Sequence, residues 1–328
     1  MSTQLPARIG KYELQEFLGG GMAHVYRARD TVLGREVALK MLTEAGCSNE
    51  DAKARFLLEA RMASNIVHEN VIRIYDFGEE HGKPFIVMEF LRGESLREAM
   101  KNDHVGDLHN RLRIALQIAK ALECIHTQRI VHRDVKPENI HIDQSGQVRL
   151  VDFGIAKAPD LSLTRAGFTL GTPYYMAPEQ VLGQQVTGAV DVYAFGVVLF
   201  ELLTGLKPIS GDTVEKIFTQ ILYEPLNLEP LHAIGAPQPI FDLVTNCTAK
   251  TPADRPPGFA VISAEIDRIL KLPVAPAPAP RAPAPSGLPA FLTLLPPRFR
   301  SEQWLVALAA IFALVLMLIL YLVYRLAF

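Results

Sequence analysis

The segment His132-Arg133-Asp134-Val135-Lys136-Pro137-Glu138-Asn139-Ile140 carries the most informative group of polar residues in the chain. Pro137 disfavours a regular helix here, so we predict a loop in which three polar side chains converge. Asp134 could orient a hydroxyl group and accept its proton. Lys136 could neutralise negative charge on a group being transferred, and Asn139 could bind Mg²⁺. The segment therefore predicts a loop that holds a base, a cation and a metal ligand together.

A second acidic motif follows as Leu150-Val151-Asp152-Phe153-Gly154, in which an apolar strand ends at an aspartate. Alone, the motif is also typical of an ordinary strand end. Because it follows Asp134 so closely in sequence, we predict that Asp152 and Asn139 together bind a divalent cation. Their oxygen atoms suit Mg²⁺, with Mn²⁺ as an alternative.

Two further motifs precede the loop. In Val37-Ala38-Leu39-Lys40 a lysine closes an apolar strand, where its ammonium group could hold phosphates and Glu59 on the following helix could fix it. A surface lysine that keeps its charge in water is the alternative. The glycines from Gly19 to Gly21 lie between two strands and could let backbone N–H groups approach a phosphate, although such a turn is often only structural.

The polar–apolar pattern predicts strands and one helix in about the first 90 residues and a mostly helical chain after residue 95. The strands are predicted at Tyr12–Leu18, Val25–Arg29 and Glu36–Met41, and the helices at Ala52–Ser64, Arg111–His126 and Thr187–Leu203. This order indicates an α+β fold with a β-rich N-lobe (about residues 12–90) and an α-rich C-lobe (about 91–270).

Composition narrows the classes of partner. Lys and Arg total 33 against 35 for Asp and Glu, a net charge of −2, which does not favour nucleic acid as a partner. The three cysteines, Cys47, Cys124 and Cys247, are far apart in sequence, which argues against a disulfide framework and fits a reducing compartment.

The C-terminal part changes character twice. Residues 271–303 form a Pro/Ala-rich juxtamembrane linker, and residues 304–325 are predicted to be a transmembrane helix. Within the latter, Leu305–Tyr324 contains 20 residues without a charge, which span roughly 30 Å as a helix, the thickness of a bilayer core. A buried helix of a globular domain is the alternative.

Basic residues predict the orientation of this helix. Four basic residues lie on the N-terminal side of the uncharged stretch: Lys271, Arg281, Arg298 and Arg300. Arg325 alone follows it. By the positive-inside rule, the large domain lies in the cytoplasm. The prediction is a single-pass protein of the inner (plasma) membrane.

In the order of these motifs, with Ala177-Pro178-Glu179 further on, the chain resembles the bacterial eukaryotic-like (Hanks-type) Ser/Thr protein kinases over residues 12–270. The resemblance implies a two-lobed protein kinase fold and transfer of the γ-phosphoryl group of ATP to Ser/Thr hydroxyls of proteins. It implies ATP and Mg²⁺ as cofactors and protein substrates as partners. Membrane anchoring, autophosphorylation and a homodimer are consistent with it.

The resemblance also implies roles for individual residues. Catalytic roles fall on Asp134, Lys136, Lys40 and Glu59, and metal binding falls on Asn139 and Asp152. The nucleotide-binding residues would be Leu18, Gly19, Gly20, Gly21, Val25, Ala38, Lys40, Met88, Glu89 and Leu91. Met88 would be the gatekeeper, and Glu89 and Leu91 the hinge that binds adenine through the backbone.

Three further implications concern the larger lobe. Asp191 would support the catalytic loop, and Glu179 would pair with Arg255. The activation segment, residues 152–179, would be autophosphorylated at Thr164 or Thr169. Thr172 would instead contact Asp134 and Lys136.

One feature departs from the family pattern. The glycine-rich loop is one residue short: Gly19 and Gly20 take the first two glycine positions and Ala23 the third. This departure favours an alternative hypothesis, a membrane-anchored pseudokinase scaffold that binds nucleotide or partners without transfer. A transporter or channel subunit is disfavoured, because a single helix without internal charge provides no pathway.

Overall fold

A computed structural model describes residues 8–152 and 173–272. The N-terminal lobe contains a six-stranded antiparallel sheet in the order β1-β2-β3-β4-β6-β5. Its strands are β1 (Arg8–Ile9), β2 (Tyr12–Gly20), β3 (Ala23–Asp30), β4 (Glu36–Leu42), β5 (Ile74–Glu80) and β6 (Lys83–Glu89). The three predicted strands are confirmed as β2, β3 and β4, each within two residues at either end.

Two helices connect β4 to β5: α1 (Glu44–Cys47) and α2 (Glu50–Ala63). The side chain of Asn49 caps α2 by accepting a hydrogen bond from the Ala52 N–H, which satisfies one of the unpaired donors of the first turn. Phe56 and Ala60 of α2 pack with Leu42 and Ile86 of the sheet. This packing fixes the position of α2 against β4 and β6.

The C-terminal lobe is mostly helical. It contains α3 (Leu96–Lys101), α4 (Leu108–Thr127), α5 (Pro178–Val181), α6 (Ala189–Thr204), α7 (Val214–Tyr223), α8 (Glu229–Ala233), α9 (Gln238–Cys247) and α10 (Phe259–Leu270). A small sheet joins β7 (Glu94–Ser95), β8 (Ile140–Ile142) and β9 (Val148–Leu150). The predicted helices at residues 111–126 and 187–203 are confirmed as α4 and α6.

Helix α6 forms the centre of the helical lobe. Every residue from Val190 to Leu203 is buried, so this helix is apolar on all sides apart from a few polar residues with defined partners. Ala38 and Met88 of the sheet belong to the same hydrophobic cluster as α4 and α6. The two lobes therefore share a core, and the predicted two-lobed α+β fold is confirmed.

The C-terminal predictions lie outside this description. No helix within residues 8–152 and 173–272 is long and apolar enough to cross a membrane. The linker beyond residue 272 and the predicted transmembrane helix at 304–325 are not among the described residues.

A buried ion pair connects α5 to the end of the helical lobe, as the family resemblance implied. Arg255 Nη1 and Nη2 donate to the two carboxylate oxygens of Glu179 at 2.6 and 2.8 Å, and the two side chains are 0% and 4% exposed. The same guanidinium donates to the backbone carbonyls of Ala189, Ala249 and Lys250. All of its polar directions are thus satisfied inside the protein.

We expect Arg255→Met to destabilise the domain by about 3–5 kcal/mol, because it leaves the Glu179 carboxylate buried without a counter-charge. Urea unfolding of the two proteins measures the difference. Arg268→Met is the matched control, since Arg268 pairs with Glu265 on the surface of α10 and half of its side chain is exposed. An equal loss of stability in both variants would contradict the expectation.

Candidate active site

Lys40 on β4 contacts two carboxylates that approach it from different lobes. Its Nζ lies 2.6 Å from Oδ1 of Asp152 and 3.8 Å from Oε1 of Glu59. Glu59 is on α2, whereas Asp152 follows β9 in the helical lobe. The predicted pairing of Lys40 with Glu59 is present, but the shorter contact is with Asp152.

The charges of this trio follow from burial and proximity. Burial alone would lower the pKa of Lys40, but the carboxylates of Asp152 and then Glu59 raise it above its ordinary value. The nearby Lys40 lowers the pKa of Asp152 despite the opposing effect of burial. Burial raises the pKa of Glu59 to about 7 even though Lys40 opposes this. Lys40 and Asp152 therefore each favour the charged form of the other, whereas burial favours the neutral form of Glu59.

The predicted catalytic loop brings its three polar side chains together. Lys136 Nζ lies 3.0 Å from Oδ2 of Asp134. Asn139 Nδ2 donates to the same oxygen and to the Asp134 carbonyl, each at 2.9 Å. Pro137 disfavours a regular α-helix, and residues Pro137–Asn139 instead form a short 3₁₀ helix. This turn directs Asn139 back toward Asp134. The convergence expected from the sequence is thus present.

Asp191, near the start of α6, binds the backbone of this loop. Its side chain is fully buried, and its carboxylate accepts the backbone N–H groups of His132 at 2.7 Å and Arg133 at 2.8 Å. Arg133 has a φ of +65°, a left-handed conformation that a non-glycine residue adopts only when its surroundings hold it. The sequence singled out Asp191, but it did not single out His126, whose Nε2 lies 2.8 Å from the same carboxylate.

A backbone hydrogen bond connects the loop to the Lys40 pair. The Val151 N–H donates to the Asn139 carbonyl at 2.9 Å, which brings Asp152 next to Asn139. Within the described ranges, no group of three or more His, Cys, Asp or Glu side chains is arranged as a metal site. Asn139 and Asp152 provide one amide oxygen and one ionised carboxylate. Hard oxygen donors of this kind fit Mg²⁺, a cation that completes its coordination with water and substrate oxygens.

The glycine-rich turn is a tight hairpin end between β2 and β3. Gly19 is opposite Val25 and Gly20 is opposite His24, and both glycines have φ angles, +125° and +132°, that other residues rarely adopt. A Cβ atom on Gly20 would lie 2.0 Å from the Ala23 carbonyl oxygen. Only glycine therefore fits at this position.

The tip of this turn is attached to the rest of the lobe through Thr43, which the sequence analysis did not single out. The Met22 carbonyl accepts hydrogen bonds from both the backbone N–H and the Oγ1 of Thr43, each at 3.0 Å. The same hydroxyl accepts the Gly46 N–H and so caps α1. A threonine directly before a short helix is a recognisable capping signal. Its second contact, across the sheet, could not be predicted from it.

The other predicted nucleotide-binding residues lie on β2, β3, β4 and β6, except Leu91, which follows β6. Val25 is directly opposite Lys40, and Ala38 is directly opposite Met88, so each pair projects from one face of the sheet. Leu18 lies beside the irregularity in β2 and is half exposed.

In the predicted hinge, Glu89 Oε1 accepts the Arg73 N–H and lies 3.3 Å from Nε of Arg149, which fixes its side chain. Leu91 follows, packed against the shared core.

Several predicted residues lie outside the described part of the chain. These are the remainder of the Asp-Phe-Gly motif and the hydroxyl residues of the activation segment, namely Phe153, Gly154, Thr164, Thr169 and Thr172.

A lysine paired with carboxylates of both lobes, next to a loop presenting Asp134, Lys136 and Asn139, is typical of phosphoryl-transfer sites. The sequence profile of the protein kinase domain matches residues 12–265. The chain therefore belongs to the protein kinase domain family.

The relatives are bacterial serine/threonine-protein kinases. The chain is 39% identical over 250 residues to serine/threonine-protein kinase PrkC of Bacillus subtilis, an alignment that covers 75% of this chain and 38% of that protein. It is 38% identical over 277 residues to serine/threonine-protein kinase pkn3 of Myxococcus xanthus, covering 80% of this chain and 50% of that protein. The chain thus spans half or less of the length of these relatives.

A solved structure agrees with the fold. The Mycobacterium tuberculosis PknI kinase domain superimposes with a TM-score of 0.65 at 24% identity, covering 82% of this chain and all of that one. At this identity the likeness establishes the two-lobed fold.

We expect Thr43→Val to loosen the glycine-rich turn, because it removes the hydroxyl that joins Met22 to the α1 cap. Hydrogen–deuterium exchange should be faster at residues 19–23, and the domain should lose about 1 kcal/mol of stability. Thr43→Ser, which keeps the hydroxyl, should exchange like the unaltered protein. Equal exchange in all three proteins would show that the Thr43 hydroxyl does not hold the turn.

Proposed function

We propose that this chain is a Ser/Thr protein kinase that transfers the γ-phosphoryl group of ATP to Ser or Thr hydroxyls of proteins. The observation that best supports the proposal is the 2.6 Å contact between Lys40 of the sheet lobe and Asp152 of the helical lobe. Through Val151 and Asn139, that contact continues into the loop of Asp134. A charged pair across the lobes, next to a carboxylate base, matches the requirements of phosphoryl transfer.

The proposed nucleotide-binding roles are those that the family resemblance implies. Lys40 would hold the α- and β-phosphates, and Glu59 would keep its ammonium group in place. The adenine would bind to the backbone of Glu89 and Leu91, with Met88 as gatekeeper. The surrounding residues would be Leu18, Gly19, Gly20, Gly21, Val25 and Ala38.

Asn139 and Asp152 would hold Mg²⁺, and Mn²⁺ has the same preference for oxygen donors. When bound, the cation neutralises charge on the phosphate oxygens. Because the pKa of Asp152 is lowered, its carboxylate is ionised and ready to bind a cation at neutral pH.

In the transfer step, the substrate hydroxyl oxygen forms a bond to the γ-phosphorus while the bond from that phosphorus to the β,γ-bridging oxygen breaks. Asp134 orients the hydroxyl and accepts its proton, and Lys136 neutralises charge on the phosphoryl group. The products are ADP and a phosphoprotein. The chain contributes mainly positioning and electrostatic stabilisation, because little covalent work falls to the protein.

Autophosphorylation at Thr164 or Thr169 is part of the proposal. Arg133, next to Asp134, could bind the added phosphate. Transfer between two copies requires an encounter, so a homodimer formed at the membrane would favour it.

The pseudokinase scaffold, which the short glycine-rich turn suggested, is the less favoured alternative. Lys40, Glu59, Asp134, Asn139 and Asp152 are all present, which favours catalysis. The Thr43 contact holds the shortened turn at its tip, so the missing residue is not by itself a reason to expect inactivity.

We expect the purified protein to label itself and a mixed protein substrate with the phosphoryl group of Mg²⁺-ATP, and EDTA to stop the reaction. Asp134→Asn removes the proton acceptor and should lower the rate at least ~100-fold. Lys40→Met should be similarly impaired through lost positioning of the phosphates. Asp212→Asn, at an almost fully exposed position, is the matched control. ATP binding without any labelling by the unaltered protein would favour the scaffold.

We also propose that residues 304–325 anchor the protein in the inner (plasma) membrane as a single-pass helix, with the kinase domain in the cytoplasm. The proposal is supported by the uncharged 20-residue stretch Leu305–Tyr324 and by the basic residues that precede it.

Deletion of residues 301–328 should move the protein from the membrane to the soluble fraction while phosphoryl transfer is retained. Cell fractionation followed by the labelling assay measures both properties. If the shortened protein still sediments with membranes, another surface provides the anchor.

A further inference from the structure

Arg97, in the first turn of α3, occupies an acidic pocket beside the catalytic loop. Its Nε donates to Oε1 of Glu138 at 2.8 Å, and its Nη1 donates to Oε1 of Glu201 at 2.5 Å. Its Nη2 donates to the hydroxyl of Tyr175 and lies 3.5 Å from Oε2 of Glu201. Tyr175 in turn donates to Oε2 of Glu201 at 2.5 Å. One guanidinium thus binds groups from three separate segments.

The partners of Arg97 form a pocket that is deep at one end and open at the other. The Glu201 side chain is 4% exposed, and that of Glu138 is 48% exposed. Burial raises the pKa of Tyr175, with the Glu201 charge acting in the same direction, so its hydroxyl stays protonated. Without Arg97, two carboxylates and a phenol would face one another. This is a good binding site for a planar guanidinium, which can donate to several acceptors at once.

The open end of the pocket belongs to the predicted catalytic loop. Glu138 is part of the catalytic loop, between Lys136 and Asn139, and its neighbours contact Asp134. Tyr175 belongs to the 3₁₀ helix at Pro173–Tyr175, just before Ala177. A residue next to the phosphorylated hydroxyl could therefore reach the open, Glu138 end of the pocket.

We propose that Arg97 is a specificity-determining residue: it fills, from within the same chain, a guanidinium subsite that would otherwise select arginine close to the phosphorylated Ser or Thr. The inference rests on the proposed kinase function. It implies that the substrates of this protein do not need a basic residue at that position. Burial alone would lower the pKa of Arg97, but Glu201 and Glu138 raise it, so the occupant stays charged at every physiological pH.

The test compares substrate preference in the full chain and its Arg97→Ala variant, using a peptide library in which arginine is placed in turn at each position around a fixed Ser or Thr. For the unaltered protein, the ratio of kcat/KM for arginine to that for alanine should stay near one at every position. In Arg97→Ala, arginine should be favoured at least about tenfold at one position, because a charge-assisted contact becomes available. A purely structural role would change overall activity but not this ratio.

Three further variants control the comparison. Arg97→Lys keeps a cation in the pocket and should retain the flat profile. Arg97→Ala combined with Glu201→Gln removes the deep charge and should lose most of the gained preference. Arg92→Ala is the matched arginine control, since Arg92 is 81% exposed and bonds to Glu36 away from the pocket.

A binding measurement keeps the inference testable if Arg97→Ala is less stable or inactive. Millimolar methylguanidinium should raise the melting temperature of Arg97→Ala but not that of the unaltered protein or Arg92→Ala. A flat arginine profile in Arg97→Ala without this stabilisation would overturn the inference. If the unaltered protein transfers no phosphate, the kinase proposal fails, whereas stabilisation by methylguanidinium would still establish the guanidinium pocket.

Discussion

The carboxylate of Asp191 is the group on which the geometry of the candidate active site depends. It is fully buried at the start of α6, and it accepts the N–H groups of His132 and Arg133. A buried ionised carboxylate without such partners would cost several kcal/mol, and each charge-assisted hydrogen bond contributes about 1.5–3 kcal/mol. The two loop N–H groups, together with His126, thus stabilise the Asp191 carboxylate, and Asp191 in turn helps to hold the left-handed conformation of Arg133.

A series of hydrogen bonds and ion pairs continues from the loop to the sheet lobe. Asn139 donates to Asp134 through its side chain and accepts the Val151 N–H through its carbonyl. Val151 precedes Asp152, whose carboxylate meets the Lys40 ammonium at 2.6 Å. Glu59 lies farther from Lys40, at 3.8 Å, and burial raises its pKa. Since Glu59 is in the same lobe as Lys40, the charged contact between the lobes within this trio is the one from Lys40 to Asp152.

Two arginines of the helical lobe differ in how far their binding sites are open to solvent. This difference distinguishes the structural role of Arg255 from the role in substrate selection that we propose for Arg97. Arg255 directs its donors to Glu179 and to backbone carbonyls in a site with no opening to solvent. Arg97 also binds carboxylates, but Glu138, one of its partners, is half exposed at the catalytic loop. A guanidinium in a closed site stabilises the fold. A guanidinium in an open site occupies space that a substrate could use.

Local properties of the sequence determined much of this protein. Alternation of apolar and polar residues defined β2, β3 and β4, the helical periodicity defined α4, and the proline within the catalytic loop predicted its irregular backbone. The identity of most of the polar groups at the site also followed from local motifs, because each motif requires particular residue types at short spacing. The family pattern added Asp191, Glu179 and Arg255, which no local spacing would have connected.

Only the tertiary structure decided which of these groups meet. Lys40 and Asp152 are separated by 112 residues in sequence, and Arg97 and Glu201 by 104. Such contacts depend on how the two lobes and α6 pack, and no short-range pattern encodes that packing. The hydrogen bond from the Thr43 hydroxyl to Met22 and the position of Arg97 in the acidic pocket could not be predicted from the sequence for the same reason. Secondary-structure propensity depends on residues that are close in sequence, whereas these side-chain contacts depend on how distant segments pack in the folded protein.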